Sequence, residues 1–87
     1  MAPKRRLAAA RSLADLPVGA SAVLGRTLVL DGTALRLLEM GMTEGVVVTL
    51  TRRAPFGDPL EIELRGTRLC LRKDDAAHFD LGEVTLP

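Results

Sequence analysis

The sequence has 87 residues, enough for one domain with a single small core. Two aromatic residues and a net charge of +1 count against both the base-stacking platforms and the strongly basic surface that are typical of nucleic-acid-binding proteins. One cysteine excludes an internal disulfide, and no apolar run approaches the roughly 18 residues of a membrane span. These features predict a soluble module of the reducing cytoplasm.

The beginning of the chain is basic. Residues 1–11 include Lys4, Arg5, Arg6 and Arg11 and no acidic residue. We interpret them as a flexible N-terminal extension that precedes a domain at residues 12–87. The alternative is that the extension contacts anionic lipid or an acidic partner, since each basic residue near such a surface contributes about 1 kcal/mol.

The first half of the domain predicts a helical turn, a strand and a short helix. A capping pattern at residues 12–15 indicates one helical turn, and the apolar segment 21–30 indicates a strand. Residues 31–33 supply turn and cap chemistry for a helix at residues 34–40. Gly41 should end this helix, because glycine adopts a left-handed conformation without a Cβ clash.

The predicted helix carries two apolar stripes. At about 100° per residue, Leu35 and Leu38 share one face, whereas Leu37 and Met40 lie nearly opposite. A helix of two turns lying on a sheet buries only one stripe fully. Either the rest of the chain covers Leu37 and Met40, or these side chains form an exposed apolar patch for a partner.

The second half of the domain predicts a small sheet. Gly45 precedes a β-branched run, two prolines place residues 54–59 in a loop, and Gly66-Thr67 predicts a hairpin turn. The predicted elements are strands at 46–51, 60–64, 68–72 and 79–86 and a helix at 73–77. About five short strands with two short helices predict a mainly β fold, a small and partly closed antiparallel barrel.

The side chains needed for catalysis or metal binding are scarce. His78 is the only histidine and Cys70 the only cysteine, so neither a nucleophile with its base nor a protein-only zinc site can be assembled. Carboxylates cluster at residues 74–75 and at Asp58 with Glu61, and we interpret them as solvated acidic groups. The sequence therefore predicts no enzymatic activity, no cofactor and no metal site, and the alternative is an iron-sensing site on these carboxylates.

Three motifs in register resemble the ferrous iron transport protein A (FeoA) family. They are Arg-Leu-Leu-Glu-Met-Gly-Met at 36–42 followed by Gly45, Ala-Pro-Phe-Gly-Asp-Pro at 54–59, and Leu-Arg-Lys at 71–73 with Ala76. The opening Leu-Pro-Val-Gly at 16–19 fits the same pattern. The resemblance covers about residues 13–86 and leaves out the basic extension. It implies an SH3-like β-barrel, in agreement with the predicted elements.

The same resemblance implies a non-enzymatic accessory of bacterial ferrous iron uptake. Its partner would be the cytosolic, GTP-binding part of the membrane permease FeoB, which would place the protein in the cytoplasm at the inner face of the membrane. A related domain occurs in iron-dependent repressors, although no helix-turn-helix precedes the domain here. The alternatives are therefore a domain of such a regulator, or a nucleic-acid-binding module. The arginines available to nucleic acid are Arg52, Arg53, Arg65, Arg68 and Arg72. Exposed strand edges also leave a homo-oligomer open.

Carried onto this sequence, the resemblance implies a contact surface on the helix and on the loop beside it. The implied partner-contact residues are Arg36, Leu37, Glu39, Met40, Met42, Phe56 and Asp58. The residues expected to shape the backbone are Gly41, Gly45, Pro55, Gly57 and Pro59. Arg72 and Lys73 could contact an acidic surface of the partner, and a solvated position at the strand end is the alternative.

Overall fold

The computed structural model describes residues 12–87, and the predicted basic extension at residues 1–11 lies outside them. The strands are β1 Ser21–Thr27, β2 Val47–Arg53, β3 Leu60–Leu64, β4 Thr67–Leu71 and β5 Phe79–Thr85. The helices are α1 Gly32–Glu39 and α2 Lys73–Ala76, and a 3₁₀ turn, Leu13–Asp15, precedes β1. In this part of the chain neither helix has the length and apolar character needed to cross a membrane.

The five strands form one antiparallel sheet in the order β4-β3-β2-β1-β5. The 3₁₀ turn contacts α2 and β5, and Ser12 forms an isolated bridge with Asp80. This segment therefore packs against α2 and the edge strand β5. The predicted helical turn is confirmed, although the Ser12 side chain makes no cap hydrogen bond. The architecture confirms the predicted mainly β fold with two short helices.

The core follows the alternation predicted from the sequence. Leu60, Ile62 and Leu64 of β3 are buried, and the two glutamates between them are more exposed. Phe79 is the one aromatic side chain in the core cluster, which is otherwise built from aliphatic side chains and Met42. Because each fully buried large apolar side chain contributes about 1.5–3 kcal/mol, this single cluster is the main source of stability.

β1 is shorter than predicted. Thr27, its last residue, pairs with Phe79, the first residue of β5. Beyond this pair the sheet offers no neighbouring strand, so residues 28–30 leave it and become exposed. These three apolar residues, which predict a continued strand in the sequence, therefore lie on the protein surface.

The hairpin turn between β3 and β4 lies one residue earlier than predicted. Arg65 and Gly66 have positive φ angles of 51° and 80°, and Leu64 pairs directly with Thr67. Two positive φ angles in a two-residue loop define a type I′ turn, whose twist matches that of the flanking strands. Thr67 is therefore a strand residue.

Candidate partner-contact site

The N-terminus of α1 is capped as predicted. The Oδ1 atom of Asp31 accepts a hydrogen bond from the backbone N–H of Ala34 at 2.8 Å. This bond satisfies one of the N–H groups that lack a partner in the first turn of a helix. The cap fixes the point at which the chain turns from the exposed segment 28–30 into the helix.

The C-terminus of α1 ends at the predicted glycine. Gly41 has a φ of +110°, and its N–H donates to the Leu38 carbonyl while the Met42 N–H donates to the Leu37 carbonyl, both at 3.0 Å. These two bonds form a Schellman motif, which commonly brings the side chains at the positions of Leu37 and Met42 together. Both side chains belong to the core, and they are 6% and 1% exposed.

The burial of Leu37 and Met42 corrects the prediction that both are available to a partner. The buried face of α1 carries Ala34 and Leu37, with Leu38 half-buried. The exposed face carries Leu35, Arg36, Glu39 and Met40. The predicted patch of Leu37 with Met40 is thus divided, because the first side chain packs in the core and the second lies in solvent.

Exposed apolar side chains remain near α1, but most of them are not the residues predicted from the sequence. Leu28, Val29 and Leu30 are 59%, 44% and 67% exposed, and Leu35 and Met40 are about half exposed. We call these five residues the α1 surface. The sequence does not identify Leu35 and the segment 28–30 as contact residues, because it places Leu35 on one helix face with Leu38 and residues 28–30 in a strand. The cap chemistry at residues 31–33, directly after the segment, is the local signal that the strand has already ended.

The loop at residues 54–59 is divided between an exposed tip and an anchored end. Phe56 is 99% exposed. Asp58 instead accepts a hydrogen bond through Oδ1 from the Lys73 backbone N–H at 2.9 Å, and its Oδ2 lies 3.5 Å from Arg72 Nε. Since the Arg72 side chain makes no cap bond of its own, Asp58 caps α2 from a distant segment. Asp58 is engaged within the chain, and Arg72 and Lys73 are brought to it.

This loop does not lie beside the C-terminal turn of α1. It leads directly into Leu60, whereas a Cβ on Gly41 would lie 3.5 Å from Leu64, at the other end of β3. Four residues of extended chain separate these ends by about 13 Å. The loop therefore lies away from the C-terminal turn of α1, and Phe56 is not one of the five residues of the α1 surface.

Three of the residues expected to shape the backbone have unusual conformations besides Gly41. Gly45 and Gly57 have φ angles of +93° and +86°, and the peptide bond between Asp58 and Pro59 is cis. The Gly57 N–H also donates to the carbonyl of Ala54 at 2.7 Å. The positive φ angles require glycine, because a side chain in this region clashes with the backbone.

Arg53, considered for nucleic-acid contact in the sequence, is a structural residue. Its Nη2 donates to the carbonyls of Ala14 and Leu16, both at 3.0 Å, and its Nη1 donates to the carbonyl of Gly57 at 3.4 Å. The guanidinium thereby ties the 3₁₀ turn to the loop that follows β2. These contacts join segments that are distant in the sequence, so no local pattern predicts them.

Two other arginines of the sheet face acidic residues across the strands. Arg52 is the cross-strand partner of Glu61, and Arg68 is the partner of Glu63. Opposite charges at such positions attract each other across the strands. These strands therefore do not present the continuous basic face that binding of a nucleic-acid backbone requires.

Five antiparallel strands in one sheet with two short helices are the architecture of a small SH3-like domain. The model of the FeoA domain matches residues 11–78, and the chain belongs to the FeoA family. The FeoA protein of Stenotrophomonas maltophilia, solved with zinc and described as an SH3 domain protein and a candidate ferrous iron transport activating factor, is 31% identical with a TM-score of 0.73. The similarity covers 84% of this chain and 91% of that protein.

Two further relatives support the assignment. The solution structure of FeoA from Chlorobium tepidum has a TM-score of 0.75 and 27% identity, covering 80% of this chain and 67% of that one. A fused Fe(2+) transport protein A/FeoB transporter of Porphyromonas gingivalis is 32% identical over 69 residues, or 79% of this chain. The chain spans only 8% of that relative's length. The resemblance noted in the sequence is confirmed, and the transcriptional-regulator alternative is not favoured.

Proposed function

We propose that this chain is a non-enzymatic accessory of ferrous iron uptake that docks on the cytosolic part of a FeoB permease. The observation that carries the proposal is the Porphyromonas gingivalis relative, in which a FeoA segment and FeoB are parts of one polypeptide. Linking two domains raises their effective concentration and favours an intramolecular contact between them. This chain makes the same contact, in the cytoplasm at the inner face of the membrane.

We assign the contact to the α1 surface. It combines exposed leucines on two consecutive segments, the chain before α1 and the outer face of the helix. Arg36 and Glu39, two of the residues implied by the resemblance, are exposed on the same helix. Apolar anchors bordered by charged side chains are the usual composition of a protein interface, in which the anchors supply most of the binding free energy.

The experiment is NMR shift mapping of the full chain against the cytosolic domain of FeoB from the same organism, with and without guanine nucleotide. The expected result is a set of shifted amides concentrated between residues 28 and 40. The double variant Leu30→Gln/Leu35→Gln should raise the dissociation constant at least about tenfold, equivalent to about 1.4 kcal/mol. Both side chains are exposed, so the fold should be retained.

The matched control is Val18→Gln. Val18 is 51% exposed, as is Leu35, but it precedes β1 whereas residues 28–30 follow it. Binding that is unchanged in the double variant, or weakened equally by Val18→Gln, would contradict the assignment to the α1 surface. Phe56→Ser tests the loop separately, because its side chain is exposed and lies outside that surface. Loss of binding in this variant alone would move the contact to the loop.

A further inference from the structure

Three metal-ligating side chains meet at the N-terminus of α1. One carboxylate oxygen each of Asp31 and Asp75 and one ring nitrogen of His78 all lie within 4.8 Å of one another. The Oδ2 atom of Asp31 is 3.9 Å from Nδ1 of His78. The three residues come from the segment before α1, from α2 and from the residue preceding β5, which is why the sequence alone predicts no metal site here.

The cluster is held by hydrogen bonds that do not use its ligand atoms. The Oδ1 atom of Asp31 is engaged by the N–H of Ala34, so Oδ2 is left for the cluster. The His78 N–H donates to the Asp75 carbonyl at 3.1 Å, and the His78 carbonyl accepts from the Leu28 N–H at 2.6 Å. The backbone thus fixes the position of His78 relative to Asp75, and within residues 12–87 no hydrogen bond occupies the Asp75 carboxylate oxygens or the His78 ring nitrogens.

The charge of the cluster favours a cation. Within residues 12–87, no lysine or arginine forms an ion pair with Asp31 or Asp75. Two carboxylates at this separation repel each other, and a cation placed between them removes the repulsion. The distance of 3.9 Å from Asp31 to His78 is too long for a hydrogen bond, so the imidazole is not committed to that carboxylate.

We propose that Asp31, Asp75 and His78 bind one first-row divalent transition cation, with water in the remaining positions. Tetrahedral zinc with bonds of about 2.0–2.2 Å holds its ligand atoms roughly 3.3 Å apart. The cluster therefore closes around an ion by side-chain rotations on the order of 1 Å. One imidazole and two carboxylates suit Zn²⁺, Fe²⁺ or Mn²⁺, whereas Mg²⁺ and Ca²⁺ prefer oxygen ligands alone.

The test is calorimetric titration of the whole chain with Zn²⁺, and with Fe²⁺ under anaerobic conditions. The expected result is one ion per chain, shifts of the His78 imidazole resonances, and at least about tenfold weaker binding of Mg²⁺. Asp75→Asn and His78→Gln should each weaken Zn²⁺ binding at least about tenfold. Asp31→Asn should do the same while keeping a cap acceptor, since asparagine is as good a cap as aspartate.

Asp74→Asn is the matched control, because this exposed carboxylate lies on α2 beside Asp75 but outside the cluster. It should leave the affinity unchanged. Absence of binding at millimolar Zn²⁺, retention of binding in His78→Gln, or equal weakening by Asp74→Asn would overturn the proposal. The titration contains no FeoB, so its failure would leave the docking proposal untouched, and failure of docking would leave the cation site untouched.

Discussion

Replacing one leucine on each face of α1 tests the orientation of the helix on the sheet. Leu37 is 6% exposed and belongs to the core, so Leu37→Ala removes almost the whole transfer free energy and leaves a cavity, at a cost of about 2–5 kcal/mol. Leu35 is 51% exposed. Leu35→Ala therefore removes only about half of the transfer free energy that a buried leucine contributes, and it leaves no enclosed cavity. Its cost should stay below about 1 kcal/mol.

Urea unfolding followed by far-UV circular dichroism measures the two costs. The chain has no tryptophan and no tyrosine, so secondary structure is a better signal than fluorescence. A domain of this size has a total stability of about 4–13 kcal/mol, and Leu37→Ala should lower the unfolding midpoint strongly while Leu35→Ala shifts it little. Equal losses, or a larger loss for Leu35→Ala, would refute the assigned faces and with them the α1 surface.

Three further substitutions test the glycines of α1 and the contacts of Arg53. Gly41→Ala should cost about 1–2 kcal/mol, because a φ of +110° strains alanine although its Cβ would meet only an ordinary contact at 3.5 Å. Gly32→Ala, where a Cβ meets nothing within 4 Å, should be neutral or stabilising by up to about 1 kcal/mol, and thermal unfolding compares the pair. Arg53→Met should cost about 1.5–3 kcal/mol in urea unfolding, because its guanidinium donates to three carbonyls. A loss below about 0.5 kcal/mol would show that water replaces these bonds freely.

Local chemistry accounts for the parts of the fold that the sequence predicts well. Leu60, Ile62 and Leu64 alternate with charged residues, and this period of two assigns one face of β3 to the core. Asp31 and Gly41 mark the two ends of α1 through a cap and a left-handed residue. Each of these signals is carried by residues within a few positions of one another, so a pattern along the chain suffices.

The rotation of α1 about its own axis is not encoded in this way. The apolar residues of α1 cover a broad arc that includes Leu35 as well as Ala34 and Leu37, so the periodicity alone does not select which part of that arc meets the sheet. The selection is made by the Schellman motif, which places Leu37 and Met42 in the core. Gly41 predicts the motif from the sequence, but whether Leu37 and Met42 are then buried depends on the path of the chain into β2.

Contacts between distant segments are also beyond local patterns. Asp58 accepts from the backbone of Lys73, 15 positions away, and Arg53 donates to the carbonyl of Ala14, 39 positions away. In the sequence these charged residues are indistinguishable from solvated ones. Only the folded chain brings them to their partners, so the sequence leaves Asp58 as an implied partner-contact residue and Arg53 as a candidate in the nucleic-acid alternative.

Asp31 combines two roles, because it caps α1 and contributes to the proposed cation cluster. One oxygen of its carboxylate caps α1 and so holds the helix that carries Leu35, while the other faces His78. Asp31 directly follows the segment 28–30, so the apolar surface and the cation cluster are adjacent but contain different residues. Because asparagine retains the cap acceptor but not the negative charge, Asp31→Asn separates the two roles. Docking should persist in this variant while cation binding is lost.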